Sequence, residues 1–183
     1  YPEANPYAFV DPQLQGLPFP DAAGIALANP IASDLSVMRV SLWPGLLKAA
    51  LKNQRRQQDR VRLFEHGARF MAGEAAAGAV CGTREIDTLA GVALGHRLPE
   101  QWGLPRDARV PVDFFDVKGD LEALLAATGA RAEFTFEPHA LSCLHPGRAA
   151  RLSRNGKPVG WLGELHPSLV KALEFTYAPV LFE

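Results

Sequence analysis

Between Ser41 and Gln58 the chain carries a helical pattern whose two faces differ enough to restrict the folds open to it. With Leu42 at zero and about 100° per residue, Leu42, Trp43, Leu46, Leu47, Ala49, Ala50 and Leu51 fall on about half the circumference. Lys48, Lys52, Arg55 and Arg56 share the other side. One half is therefore expected to be buried, and the basic groups form a stripe. Ser41 is a plausible N-cap, and Pro44 falls in the first turn, where its missing N–H costs little. Toward the C-terminus Asn53, Gln54, Gln57 and Gln58 lie on or beside the arc that was apolar one turn earlier. An ordinary core would leave such amides unsatisfied at about 1–3 kcal/mol each. A helix that packs against a neighbour's helix accounts for them, and so does a helix whose far end meets water. The basic stripe is either a solvated face or a contact for phosphates or an acidic partner. No aromatic residue interleaves with it, so a base-stacking platform is not expected there.

The remaining pattern is one of strand runs interrupted by helices. Tyr1 to Asp21 holds five prolines and reads as an entry segment, extending to about residue 24, with a short strand around Tyr7 to Val10. Ile25 to Ala28 is a second short strand candidate, stopped by Asn29-Pro30. Arg60 to Phe64 and Ala68 to Met71 read as two strands around His66-Gly67, and Glu85 to Leu94 as another; His96 to Arg109 is a loop carrying Trp102. Asp113 to Thr128 has amphipathic helical spacing through Phe114, Val117, Leu121, Leu124 and Leu125, with Gly129 as its stop. Arg131 to Glu137 alternates like a strand. Arg148 to Arg154 and Pro158 to Glu164 flank Asn155-Gly156, the strongest short hairpin signal in the chain. Pro167 to Leu173 reads as a short helix and Pro179 to Phe182 as a last strand. Runs of strands joined by turns predict an α+β fold, an antiparallel sheet flanked by helices, in one domain over 1–183.

At 183 residues and 48% hydrophobic composition the chain can bury a core without disulfide support. A net charge of -1 excludes a chain-wide basic attraction to nucleic acid, so any RNA contact must be local. Cys81 and Cys143 are far apart and outside metal-knuckle spacing, which fits a reducing cytoplasm. No apolar run approaches the roughly 20 residues needed to span a bilayer. Tyr1 is not an initiator and the final APVLFE stops without a tail, so a domain excised from a longer polypeptide is expected.

Chemistry-bearing clusters are sparse. Asp113, Asp116 and Asp120 imitate a carboxylate metal cluster but stand at a helix start, where acidic residues suit the macrodipole. The five histidines are scattered without a His-x-x-x-His pair. Cys143 has His139 and His145 nearby in sequence but no orienting third group, so an inert thiol is expected. No catalytic, cofactor-binding or metal-ligating residue is expected in this chain.

Eight ordered blocks carry a resemblance: YAFVDPQLQ, NPIASDLSVMR, SLWPGLLKA, RLFEHGARF, PEQWG, FFDVKGDLEALL, HPGRAA and VGWLGELHP. In this order they resemble the synthetase-like core of the bacterial phenylalanyl-tRNA synthetase beta subunit. The resemblance implies a class II aminoacyl-tRNA synthetase-like fold that has lost catalysis. It implies a partner alpha subunit in an α2β2 enzyme charging tRNA-Phe with ATP and Mg, the editing and anticodon-binding-like domains lying elsewhere. It assigns a subunit interface to Asn29, Pro30, Ser33, Arg39, Leu42, Trp43, Leu46, Leu47 and Asn53. An exposed interface would favour self-association of the isolated chain as a homodimer.

In that family's frame Arg62 and Glu65 stand where the second synthetase motif lies, spaced Arg-x-x-Glu instead of Arg-x-Glu. Period-two alternation then sends them to opposite faces unless a bulge intervenes. Gly160 to Leu173 has the glycines and helix of the third motif but no arginine. The expected function is thus non-catalytic assembly. An RNA-binding module using Lys48, Lys52, Arg55 and Arg56, or a residual adenylating enzyme, are the alternatives.

Overall fold

The computed structural model describes residues 1–20, 24–73, 82–103, 105 and 109–183. Its frame is a six-stranded antiparallel sheet built from two hairpins, one edge strand and one late strand. Strands β3 (Arg60–Ala72) and β4 (Thr83–Gly95) pair without a break in register from Arg60 opposite Gly95 to Ala72 opposite Thr83. Strands β6 (Leu144–Arg154) and β7 (Lys157–Leu165) form the second hairpin, with β5 (Phe134–Pro138) on its outer edge. The last strand, β8 (Val180–Phe182), enters between them, so the order is β3-β4-β8-β7-β6-β5. A separate two-stranded ribbon joins β1 (Phe9–Val10) to β2 (Val37–Met38). The α+β architecture follows from these connections.

Several elements arise from local chemistry. Asn155 and Gly156 both adopt positive φ, 49° and 76°, as a two-residue turn between right-twisted strands requires. Helix α3 (Phe114–Ala127) opens with a reciprocal cap: Asp113 accepts from the Phe115 and Asp116 N–H groups, and Asp116 accepts from the Asp113 N–H. Helix α1 (Pro12–Gly16) was not read from the sequence, although Asp11 followed by Pro12 at its first position is a start signal. Helix α4 (Pro167–Ala172) falls where expected.

The two main helices take opposite faces of the sheet. Helix α2 (Trp43–Arg55) lays Leu42, Trp43, Leu46, Leu47 and Ala50 on Val61, Ala90, Val92, Leu94 and Leu181. Helix α3 lays Val117 and Leu121 on Ala93, Leu162, Val180 and Phe182. The alternation along β8 serves both, Leu181 facing α2 and its two neighbours facing α3.

Some expected boundaries are corrected. Helix α2 begins at Trp43 and ends at Arg55, short of Gln58, because Gln57 takes a φ of 63°. Ser41 still serves its start, accepting from the Trp43 N–H at 3.1 Å. The two strands expected around His66-Gly67 are one, since Gly67 stays in register while the Arg39 guanidinium crosses over it; a Cβ there would lie 2.6 Å from Arg39 Nη2. Ile25 to Ala28 forms only a bridge, Ala26 to Val37, and Arg131–Glu133 is a 3-10 turn leading into β5. Cys81 lies outside the described residues.

Candidate functional site

The positions where a synthetase pocket would need its arginine and carboxylate are held apart by the pleat. Arg62 points to the α3 side of β3, where Nη1 donates to the Val61 and Leu94 carbonyls at 2.9 and 3.0 Å, and Nη2 to the His96 carbonyl at 3.1 Å. Burial pulls its pKa below the ordinary arginine value. Glu65 points to the α2 side and pairs with Arg39, both nearly inaccessible. Burial pushes the Glu65 carboxyl upward and the Arg39 guanidinium opposes it. With β3 and β4 in unbroken register, no bulge brings Arg62 and Glu65 to one face. The glycines after β7 begins are likewise structural. A Cβ on Gly160 would strike the Glu183 carbonyl, and one on Gly163 would lie 2.7 Å from Leu144 Cδ1. They admit close backbone approach within the sheet.

The apolar arc of α2, expected to face a partner, is turned inward. Leu42, Trp43 and Leu46 have no exposed area and Leu47 has 2%, so this arc is covered by the chain's own sheet and cannot itself touch a partner. The ground for self-association through that arc goes with it. Arg39, at 5% exposure, is also internal. Two of the four amides are satisfied within the chain and two face water: Asn53 donates to the Ala49 carbonyl, Gln54 donates to the Glu174 carbonyl and accepts from the Thr176 N–H, and Gln57 and Gln58 are exposed. A turn 120 residues away supplied partners that periodicity could not reveal.

What remains open is the other side of α2 and the segment before it. Asn29, Pro30 and Ser33 are exposed, and Ile31 between them is 79% exposed. A groove of about 470 Å³ runs between the outer face of α2, at Pro44, Lys48 and Ala49, and the entry segment at Tyr7 and Phe9. Gly45 makes this crossing possible, since a Cβ there would lie 2.8 Å from the Pro6 ring. In the basic stripe Lys48 meets Asp34 at 3.2 Å and Arg55 meets Glu174 at 3.1 Å. Lys52 and Arg56 have no ion-pair partner among the described residues.

Residues 1–183 match the family model of the phenylalanyl tRNA synthetase beta chain CLM domain. The chain belongs to that family. It is 50% identical over 183 residues to the phenylalanine–tRNA ligase beta subunit of Pseudomonas savastanoi pv. phaseolicola, and 47% identical to that of Pectobacterium atrosepticum. In both cases the match covers all of this chain and 22% of the relative, so the chain spans about a fifth of their length. In structure it resembles a pyrrolysyl tRNA synthetase from Desulfitobacterium hafniense, with a TM-score of 0.68 at 15% identity, covering all of this chain and 57% of the other. The family and class II synthetase fold expected from the ordered blocks are both borne out.

The other chemistry-bearing residues of this CLM domain are occupied structurally. Asp113 and Asp116 cap α3 and both accept from Arg97, while Asp120 accepts from the Tyr1 hydroxyl at 2.7 Å. Among the described residues no three His, Cys, Asp or Glu side chains gather as metal ligands. His139 packs on Trp161 with ring centres 4.9 Å apart, and His145 accepts from the Gly147 N–H. No helix among the described residues is long and apolar enough to cross a membrane.

Cys143 is buried in the α2-side core, and burial pushes its thiol up to about 12. The thiolate is the reactive form, and each unit of pKa is a tenfold change in its population. In a Cys81→Ser background at pH 8, iodoacetamide is therefore expected to label Cys143 more than about a hundredfold faster in the denatured chain than in the folded one. Equal rates in the two states, followed by mass spectrometry, would refute its burial.

Proposed function

We propose that this chain is the non-catalytic assembly domain of a phenylalanine–tRNA ligase beta subunit. It holds an alpha subunit in an α2β2 enzyme that uses ATP and Mg to charge tRNA-Phe. The observation that carries this reading is the match of all 183 residues to the CLM domain. The split of Arg62 and Glu65 across β3 supports a role without adenylation, since phosphate charge in the transition state must be met by groups converging on one site. Under this reading the chain alone gives no ATP–pyrophosphate exchange.

The docking surface is the exposed side of α2, with the groove toward Tyr7 and the loop at Asn29, Pro30, Ile31 and Ser33. The α2 core residues position this surface from beneath. Tyr7 is 67% and Ile31 79% exposed, so Tyr7→Asp and Ile31→Asp leave the fold intact. Each is expected to weaken association with the alpha subunit by about 1–2 kcal/mol, the scale of interface anchors. Co-elution and titration calorimetry measure this; an alpha subunit that binds the double variant as tightly as the wild-type chain would sink the proposal.

A further inference from the structure

We infer that Glu183 is the positioning residue for the docking side of α2, supplying from a distant part of the chain the anionic cap that this helix does not carry itself. The inference rests on the assembly reading above. The first N–H groups of a helix have no partner within it, and a negative charge beside them is favourable. Helix α2 has no acidic residue in its first turn, and Leu42, at its N-cap position, offers no side-chain acceptor. Glu183 fills the gap with both carboxylate oxygens: Oε1 accepts from the Leu42 N–H at 2.9 Å and Oε2 from the Ser41 hydroxyl at 2.6 Å. With its proton turned to Glu183, the Ser41 oxygen is left to accept from the Trp43 N–H at 3.1 Å. One carboxylate thus serves two donors of the helix start, the first directly and the second through Ser41.

The carboxylate is carried on a stiff support. Glu183 exchanges two backbone hydrogen bonds with Trp161, at 2.7 and 3.0 Å, and the preceding Phe182 carbonyl accepts from the Trp43 indole. A side chain on a backbone fixed in this way has less freedom left to lose when it caps the helix. Burial pushes the Glu183 carboxyl above its ordinary range, but the Ser41 and Leu42 donors and the nearby Arg69 and Arg39 all favour the ionised form. A residue that merely filled the join of β8 and α2 would be apolar, since a charge taken out of water is costly unless partners meet it.

The capped turn is also a wall of the candidate docking groove. Pro44 and Gly45 follow Trp43 and line the groove facing Tyr7, whereas Glu183 does not, so it acts on docking through the helix. A Cβ on Gly45 would lie 2.8 Å from the Pro6 ring. The first turn and the entry segment therefore fit without slack, and a turn that frays or tilts alters the groove.

The test compares Glu183→Gln, which keeps the shape and one acceptor but removes the charge, with Val117→Ala, a core truncation on the opposite face of the sheet from α2. Both lower global stability. Glu183→Gln is expected in addition to speed hydrogen exchange at the Leu42 and Trp43 amides about 5- to 30-fold relative to the β6 amides. It should also weaken alpha-subunit binding about 2- to 30-fold by titration calorimetry, and Val117→Ala should do neither. Ser41→Ala, a milder variant that leaves the Glu183 charge in place, should move both readouts the same way. Combined with Glu183→Gln it should add less than its own effect, because the two side chains belong to one run of hydrogen bonds. Glu183→Gln with wild-type exchange at Leu42 and Trp43, or with alpha-subunit binding no weaker than that of Val117→Ala, overturns the inference. An alpha subunit that fails to bind the wild-type chain overturns the assembly reading and the docking role with it, whereas the exchange measurement, made without the alpha subunit, decides the cap separately.

Discussion

Replacing Trp43 with alanine is expected to lower the unfolding free energy by about 3–5 kcal/mol, the range for deleting a large aromatic side chain from a packed core. Trp43 has no exposed area, stacks on Phe19 with ring centres 5.7 Å apart, and donates its indole N–H to the Phe182 carbonyl at 3.0 Å. The substitution leaves a cavity and releases a bond that ties the start of α2 to the central strand β8. Trp43→Phe separates the two effects: it keeps most of the packing, so a smaller loss of about 1–3 kcal/mol is expected. Urea denaturation measures both. A Trp43→Ala chain within about 0.5 kcal/mol of wild type, as at ordinary surface sites, would contradict this placement. Loss of a partner on changing Trp43 would report damage to the core, which is why the docking test uses Tyr7 and Ile31.

The second large effect lies in the Arg39 and Glu65 pair. Glu65→Ala should cost about 3–5 kcal/mol, because it strands a buried guanidinium; Arg39→Ala should cost a similar amount by stranding a carboxylate. Arg39 also donates Nε–H to the Ala68 carbonyl at 2.9 Å, so its loss loosens the contact between β3 and the segment before α2. A double replacement by apolar residues of similar volume, Arg39→Met with Glu65→Leu, should be far milder than the sum of the single losses. A double-mutant cycle tests this. Strict additivity would mean that the two charges do not depend on each other.

This pair shows where reading the sequence stops. Arg39 and Glu65 both stand inside motif-like blocks, and the alternation of β3 places Glu65 opposite to Arg62, as the structure bears out. Nothing local says that the Glu65 partner is Arg39, 26 residues earlier, because pairing is selected by which segments pack together. The same holds for Glu183, whose carboxylate accepts from the Ser41 hydroxyl at 2.6 Å and the Leu42 N–H at 2.9 Å, across the join of β8 and α2. Burial pushes that carboxyl above its ordinary range while these two donors oppose the shift.

Local signals, by contrast, were sufficient where the energy is local. The reciprocal cap at Asp113 and Asp116, the turn at Asn155-Gly156 and the apolar periods of α2 and α3 involve neighbours within a few residues, so the sequence alone specifies them. The ordered blocks carried the family in the same way, residue by residue. Periodicity established that one face of α2 must leave water, but hydrophobic burial is non-directional and does not name its cover. Only the tertiary structure decided that the cover is this chain's own sheet, closed when β8 inserts between β4 and β7. That choice moves the candidate docking surface to the opposite side of the helix.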